Sequence, residues 1–510
     1  MILTRKYLVM ISAIALLLTV VLSGCSSGGN KESSLSPAVG DDSSTPVQLK
    51  MIMLGPKPVD YEKVYTELNQ KLKEKINTTV SVEFLDWSDW AQKYPLKFAA
   101  NEDFDLIYTA NWAFYTNQAT MGGFLELTDE MLQKYAPQTW ENMPKVSWNQ
   151  AKVEGKLYMV PNNHVEVTDG FTLIREDLRK KNNLPEVNSL DTLAIYLKTI
   201  AKNEQGIIPF NASANGGMWN LWDNQTLLQK NNWRLIDPGL PLAFKLDDLS
   251  GKLFNVAETP EYKEILEYYK DLADNGAWPR NIVNNKNDGW QEMKAGKVAA
   301  GNHNVLTLGA QIAEAKQENR DMEFKIVDIT PNSKVNAAIS TQNGTAIHST
   351  SKNPERALMF NDLLQNDKEI HDLAMYGIAG EHYIPEGEDK YSAGPRSSQY
   401  PGYSVWGWNS HLNRENVNTP QEALDIIAAS QSNLYHYPLE SFVLVDTKVK
   451  NEIANIGNVM MRYNLPLGYG IINDLNKGQQ DLINQLKAAG IDKVKEEIQS
   501  QIDNFLAGNS

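Results

Sequence analysis

The run Val47 to Leu54 (VQLKMIML) is mostly apolar and stops at Gly55-Pro56, which reads as a strand closed by a turn. After a candidate cap at Asp60, residues Tyr61, Val64, Tyr65, Leu68, Leu72 and Ile76 recur three or four positions apart, the spacing of one helix face. Thr79 to Leu85 (TVSVEFL) alternates as a second strand, Ser88 to Ala100 reads as mostly helical despite Pro95, and Phe104 to Thr109 (FDLIYT) is a third, buried strand. Strands alternating with helices imply a parallel sheet, because parallel neighbours need crossover connections. In such sheets ligands sit beyond the carboxyl ends of the strands. Those ends are Gly55-Pro56-Lys57, Trp87-Ser88-Asp89-Trp90 and Asn111-Trp112-Ala113-Phe114-Tyr115. Two of the three carry tryptophan, which a sugar-facing rim needs.

The amino terminus has a different pattern. Arg5 and Lys6 precede an apolar stretch, Leu8 to Leu22, too short to span a bilayer comfortably but matching the core of a secretory signal, so residues 1–24 are expected to be removed. The stretch LLLTVVLSGCSSGGN places the only cysteine, Cys25, where the apolar run ends, and Leu22-Ser23-Gly24 before it resembles the lipobox of bacterial lipoproteins. That resemblance implies a lipid-modified Cys25 as first mature residue, holding the protein at the outer face of the cell membrane without a transmembrane helix. Ser26 to Pro46 offers little to bury and reads as a flexible tether, so residues 25–46 form a lipidated linker.

Composition narrows the chemistry. With Cys25 committed to an anchor, disulfides, thiolate zinc sites and cysteine nucleophiles are excluded. About 460 residues after the linker exceed one ordinary core, so two large lobes are expected. The net charge of −15 becomes −17 once the two cations Arg5 and Lys6 are cleaved away, which argues against a nucleic-acid partner.

Six segments carry a family resemblance: FDLIYTANWAFYTNQATMGGFLELTDEMLQKYAP from 104, VEGKLYMVPN from 153, FTLIREDLRKKNNLP from 171, GWQEMKAGKVAAGNHN from 289, NGTAIHSTSKNPERALMFNDLLQND from 343 and YGIAGEHY from 376. In this order they resemble the family-1 extracellular solute-binding proteins of carbohydrate ABC importers, close to the large lipoprotein branch of Gram-positive bacteria. LKAAGIDKVKEEIQSQIDNFL from 486 looks like the closing helix of that branch's C-terminal extension. The resemblance implies an α/β, two-lobe periplasmic-binding-protein-like fold of type II, with parallel-rich sheets, a hinge and an interlobe cleft. The ligand it implies is an oligosaccharide from plant polysaccharides, acidic ones such as aldouronates included. The partners it implies are ABC transporter permease subunits, with the protein itself a monomer.

The hinge is also legible from the residues. Val153 to Pro161 reads as one strand ended by proline, and Thr345 to His348 reads as a strand before a helix from Asn353 to Leu364. The expected division is 47–163 and about 337–400 for the first lobe, and 164–336 and about 401–510, with a C-terminal helical extension, for the second. Hinge closure around a guest is the matching conformational change.

A sugar presents hydroxyls at its rim and C–H faces above and below, so aromatic faces mixed with amides and carboxylates mark candidates. These are Trp87 and Asp89; Asn111 and Trp112; Trp219, Asn220, Trp222 and Asp223 in the Gly-rich NGGMWNLWDN; Asn302, His303 and Asn304; Glu381 and His382; and Trp406, Trp408 and Asn409 in YPGYSVWGWNSHLNR. Trp140, Trp233, Trp278 and Trp290 read as structural, and Asp103 and Asp105 as cap or turn residues. No cofactor or metal is expected, since the seven histidines never fall at an i, i+4 pair and no H-E-x-x-H, G-x-S-x-G or phosphate-cradling loop occurs. The alternatives are a binding protein for a peptide or other polar solute, and a surface glycoside hydrolase; for the latter no pair of carboxylates stands out.

Overall fold

The computed structural model describes residues 45–508, apart from 88, 164–166, 168, 211–223, 285–288, 318–320, 337–338, 402–404 and 409. The signal, Cys25 and the linker as far as residue 44 lie outside the described residues. No helix among the described residues is long and apolar enough to cross a membrane.

Strand β1 (Val47–Leu54) is followed by helix α1 (Tyr61–Ile76) and strand β2 (Thr78–Leu85). The apolar stripe of α1 is buried as its spacing requires, and the helix ends on Asn77, whose left-handed backbone (φ 48°) turns the chain straight into β2. Asp60 precedes α1 but makes no side-chain cap, because its carboxylate is taken by His382 and Arg396. Helix α2 (Trp90–Ala99) and strand β3 (Leu106–Thr109) complete the motif.

Strand β1 pairs in parallel with β2 (Val47 opposite Thr78) and with β3 (Met51 opposite Leu106). The sheet then turns antiparallel: Gly344–Ile347 pairs with β3 on one side and with Met159–Pro161 on the other. The reason is directional. The chain returns from the second half at the carboxyl end of β3, so Gly344 must start there, opposite Thr109, and run backwards. Gly344 packs so tightly on the edge strand that a Cβ would lie 2.7 Å from the carbonyl oxygen of Val160.

The expected single strand from Val153 to Pro161 is instead a small hairpin, Lys152–Val153 with Lys156–Leu157, followed by Met159–Pro161. Glu154 (φ 51°) and Gly155 (φ 79°) make the two-residue turn. Pro161 sits within its strand, tolerated because that strand is the edge of the sheet.

A second, four-stranded sheet is ordered Phe324–Val327, Gly170–Arg175, Val298–Asn304, Ile208–Phe210. Only its last pair is parallel, so the sheets are mixed rather than uniformly parallel.

One core gathers Leu49 to Val160 with Ala346 to Trp408. A second gathers Ile174 to Ile329 with Tyr437 to Ile502, and a smaller cluster around Leu173, Met293 and Leu308 covers the other face of the second sheet. The chain therefore visits the two cores alternately. Trp408, at 4% exposure, still belongs to the first core, so the last crossing lies beyond it and not near residue 400.

Trp233 and Trp278 are buried in the second core, as their sequence settings suggest. Asp105 accepts from the Lys50 N–H (2.9 Å) and the Ser351 hydroxyl (2.6 Å), a turn-holding role. The closing segment is two helices, Leu475–Ala488 and Ile491–Gly508, because Gly490 at φ 95° breaks the run.

Candidate functional site

The parallel pairing of β1, β2 and β3 brings their carboxyl ends to one edge. Trp87 follows β2, Trp90 opens α2, and Trp112 follows β3. The rings of Trp87 and Trp112 lie 6.4 Å apart at 33°, and Trp90 stands edge-on to both, at 6.3 and 5.7 Å. The Trp112 indole N–H donates to the Gln342 carbonyl (2.9 Å), which fixes that ring against the turn that precedes the strand Gly344–Ile347. Trp87 is 44% exposed. Trp90 was not among the residues singled out from the sequence, although the W-x-x-W spacing placed both rings on one turn.

Asp89 pairs with Lys93 through one oxygen (2.8 Å), while its Oδ1 is buried without a partner. An unmatched acceptor beside an indole suits a hydroxyl donor. Asn111 is held by its backbone, whose N–H donates to the Thr341 carbonyl (2.8 Å), leaving an exposed side chain.

Trp219, Asn220, Trp222, Asp223 and Asn409 fall outside the described residues, as does the side chain of Trp406. The described ends of the 211–223 segment are nevertheless informative. Phe210 pairs with Ala300, and on the other side Gln225 accepts from the Asn302 amide (3.2 Å) and the Thr172 hydroxyl (2.9 Å). Both ends are tied to the strand Val298–Asn304, one at Ala300 and the other at Asn302. The amide nitrogen of Gln225 is buried without a partner.

His303 packs edge-on against Trp290 at 6.2 Å, and burial pushes its pKa down to about 4. Its Nδ1 accepts the Asn304 N–H, and Asn304 in turn accepts from the Thr307 N–H (2.9 Å), capping the helix Val305–Gln317. Asn304 is thus occupied as a helix cap.

Glu381, His382 and Trp408 are placed differently from the expectation of a ligand rim. Glu381 pairs with Lys63 on α1. The ring of His382 is fully buried, with Nε2 donating to Asp60 (3.0 Å) and Nδ1 accepting the Ile378 N–H (2.9 Å), so neither nitrogen is left for a ligand. Arg396 grips the same Asp60 carboxylate from the other side, and this network holds that carboxyl below its usual range. Trp408 is core: beside it, a Cβ on Gly407 would approach Met53 to 2.9 Å and the Tyr108 ring to 3.4 Å.

Between the two cores runs a cleft of about 840 Å³. Asn111 and Trp112 stand on one wall with Phe114, Tyr115 and Gln118, and the facing wall is made by Ile236–Gly239 and by residues 440–453. Gln118, Asp237, Glu440 and Asp446 had no motif to mark them. Asp237 sits in a D-P-G turn whose Gly239 N–H it accepts (2.7 Å), and burial raises its carboxyl pKa, with the Asp446 charge adding to the rise.

Residues 67–385 match a family model described as bacterial extracellular solute-binding protein. The chain belongs to that family. That family is one of solute-binding proteins and not of enzymes. Residues 438–507 match a second model, described as a domain of unknown function. A carbohydrate ABC transporter substrate-binding protein of Streptococcus pneumoniae is 25% identical over 514 aligned positions, with 97% of each chain covered. A polygalacturonan/rhamnogalacturonan-binding protein of Bacillus subtilis is 25% identical over 402, with 76% of each covered. Among solved structures, the N-glycan transport solute-binding protein of Streptococcus pneumoniae in complex with Man5GlcNAc superposes with a TM-score of 0.74 at 22% identity, covering 91% of this chain and 100% of that one. An alginate-binding protein superposes with a TM-score of 0.68 at 16% identity, covering 90% and 98%. For this solute-binding protein, the superpositions carry the two-lobed α/β fold.

Proposed function

We propose that the chain is a lipid-anchored extracellular receptor that captures an oligosaccharide in the cleft between its two cores and delivers it to an ABC importer. The observation that carries this reading is the aromatic edge at the cleft. Trp112 lines the cleft, Trp87 lies beside it with an exposed ring, and the unpartnered Asp89 oxygen sits in the same loop. Indole faces stack on sugar C–H faces while an orphaned acceptor takes a hydroxyl, which is the complement of a pyranose. The full-length likeness to a carbohydrate ABC transporter substrate-binding protein supports the same class of solute and the same delivery partner. Asn111, Asn302 and the Trp219 and Trp222 segment complete the proposed site. Cys25 is the proposed lipid attachment point.

The experiment is a thermal-shift screen of the purified protein against a glycan panel, with the sugars recovered afterwards and sized. A ligand that binds only the folded state raises the melting temperature. At least one oligosaccharide should do so and be recovered intact; a flat response to every glycan overturns the reading.

A further inference from the structure

The domain of unknown function begins at residue 438, and its first stretch occupies a definite place: Glu440, Asp446 and Lys450 line the cleft opposite Trp112 and Gln118. Resting on the oligosaccharide reading of that cleft, we propose that this extension is a specificity wall that reads the charge of the guest, admitting uncharged glycans and excluding uronic acids.

The charges in the lining carry the first part. Among the described residues that line the cleft, Asp237, Glu440 and Asp446 are carboxylates, Lys450 is the one ammonium, and no arginine is present. Lys450 is exposed and its ammonium lies 3.2 Å from the Met121 sulfur, at the edge of the opposite wall. Arginine forks are the usual match for a sugar carboxylate, and none lines the cleft among the described residues. In a space that excludes water, like charges repel more strongly than in bulk solvent.

Hydrogen-bond polarity carries the second part independently. Gln118, on the first-lobe wall, is 2% exposed, and its Oε1 is buried without a partner. An orphaned amide oxygen and the Asp237 and Asp446 carboxylates on the facing wall make the cleft rich in acceptors, while the Glu440 carboxylate is met by His436 (2.7 Å) and the Gln150 amide (3.5 Å). A sugar hydroxyl donates to them; an ionised uronate carboxyl only accepts. This choice runs against the acidic fragments that the family resemblance implies, and it separates the chain from its Bacillus subtilis relative, whose named ligand polygalacturonan is a polyanion.

The test compares matched pairs by calorimetry at pH 7: manno-oligosaccharides against mannuronate oligomers, and neutral galacto-oligosaccharides against galacturonate oligomers of the same length. In the full-length protein the neutral member of a binding pair should bind at least tenfold tighter. In Asp237→Asn, Glu440→Gln and Asp446→Asn combined, the gap should shrink to under threefold, with the uronate member binding more tightly than it does to the parent protein. The isosteric amides preserve volume, and the wild-type comparison decides by itself should the triple variant not fold. A uronate that binds as tightly as its neutral twin overturns the charge-reading wall and leaves the oligosaccharide reading standing. An unchanged ratio in a folded triple variant also overturns it. Absence of binding by every glycan overturns both readings together.

Discussion

Asp169 accepts two hydrogen bonds from Asn336, one from its backbone N–H at 2.9 Å and one from its side-chain amide at 3.0 Å. Asp169 lies on the first crossing between the cores and Asn336 on the second; Asn336 also sits opposite Tyr435 in a short parallel pair, which ties in the third. One residue therefore joins all three connections. Asp169 is buried, and desolvation raises its pKa despite both bonds.

Asn336→Ala removes one of the two donors that satisfy this buried carboxylate. The loss should destabilise the protein by about 1–3 kcal/mol, the usual penalty for leaving a buried charged acceptor underbonded. Urea unfolding monitored by tryptophan fluorescence measures it, and an unchanged midpoint would show that the crossing is held elsewhere.

Trp87 and Trp112 should separate binding from stability. Trp87→Ala removes an exposed ring, so it should weaken oligosaccharide binding by about 1–3 kcal/mol with little change in melting temperature. Trp112→Ala also leaves the Gln342 carbonyl without its donor and should lower both. Titration calorimetry and thermal denaturation on the two variants resolve the difference. Trp219→Ala and Trp406→Ala are expected to weaken binding without unfolding the protein.

Acid should destabilise the protein through His303. Its folded pKa is near 4, against an ordinary value of 6.5, so between those pH values the unfolded chain binds more protons than the folded one. Stability is then full above about pH 6.5 and falls as pH drops toward 4, by on the order of 3 kcal/mol from this residue. His348 and His371, also depressed by burial, act in the same direction. His303→Gln should flatten part of the acid limb in a series of urea titrations from pH 7 to pH 4; a slope identical to the parent would remove His303 as a contributor.

His382→Ala should lower the melting temperature while leaving glycan affinity intact. Its ring links Asp60 before α1 to the Ile378 backbone, and both ends of that link are protein. A selective loss of affinity in a fully stable variant would return His382 to the ligand.

Cys25→Ala should send the protein into the culture medium. Cell fractionation reads the outcome directly, and continued retention at the membrane would count against the lipid anchor.

By itself, the sequence determined the first half of the first sheet. The alternation in β2, the stripe on α1 and the apolar run of β3 are local patterns that only one pairing buries, and the carboxyl-end rule then located Trp87, Asn111 and Trp112. It also marked the strand Gly344–Ile347 and the helix Pro354–Asn366, because both carry their own periodicity. Tertiary structure decided the rest. Nothing local distinguishes His382 bonded to Asp60, 322 positions away, from a histidine facing a sugar. Nor does the W-G-W spacing reveal that Trp408 closes the first core beyond the expected crossing. The wall formed by Asp237, Glu440 and Asp446 exists only because two distant segments meet across the cleft from Trp112. Periodicity reports which face of an element is buried; which partner buries it, and which polar groups are left over for a ligand, depends on contacts between segments hundreds of residues apart.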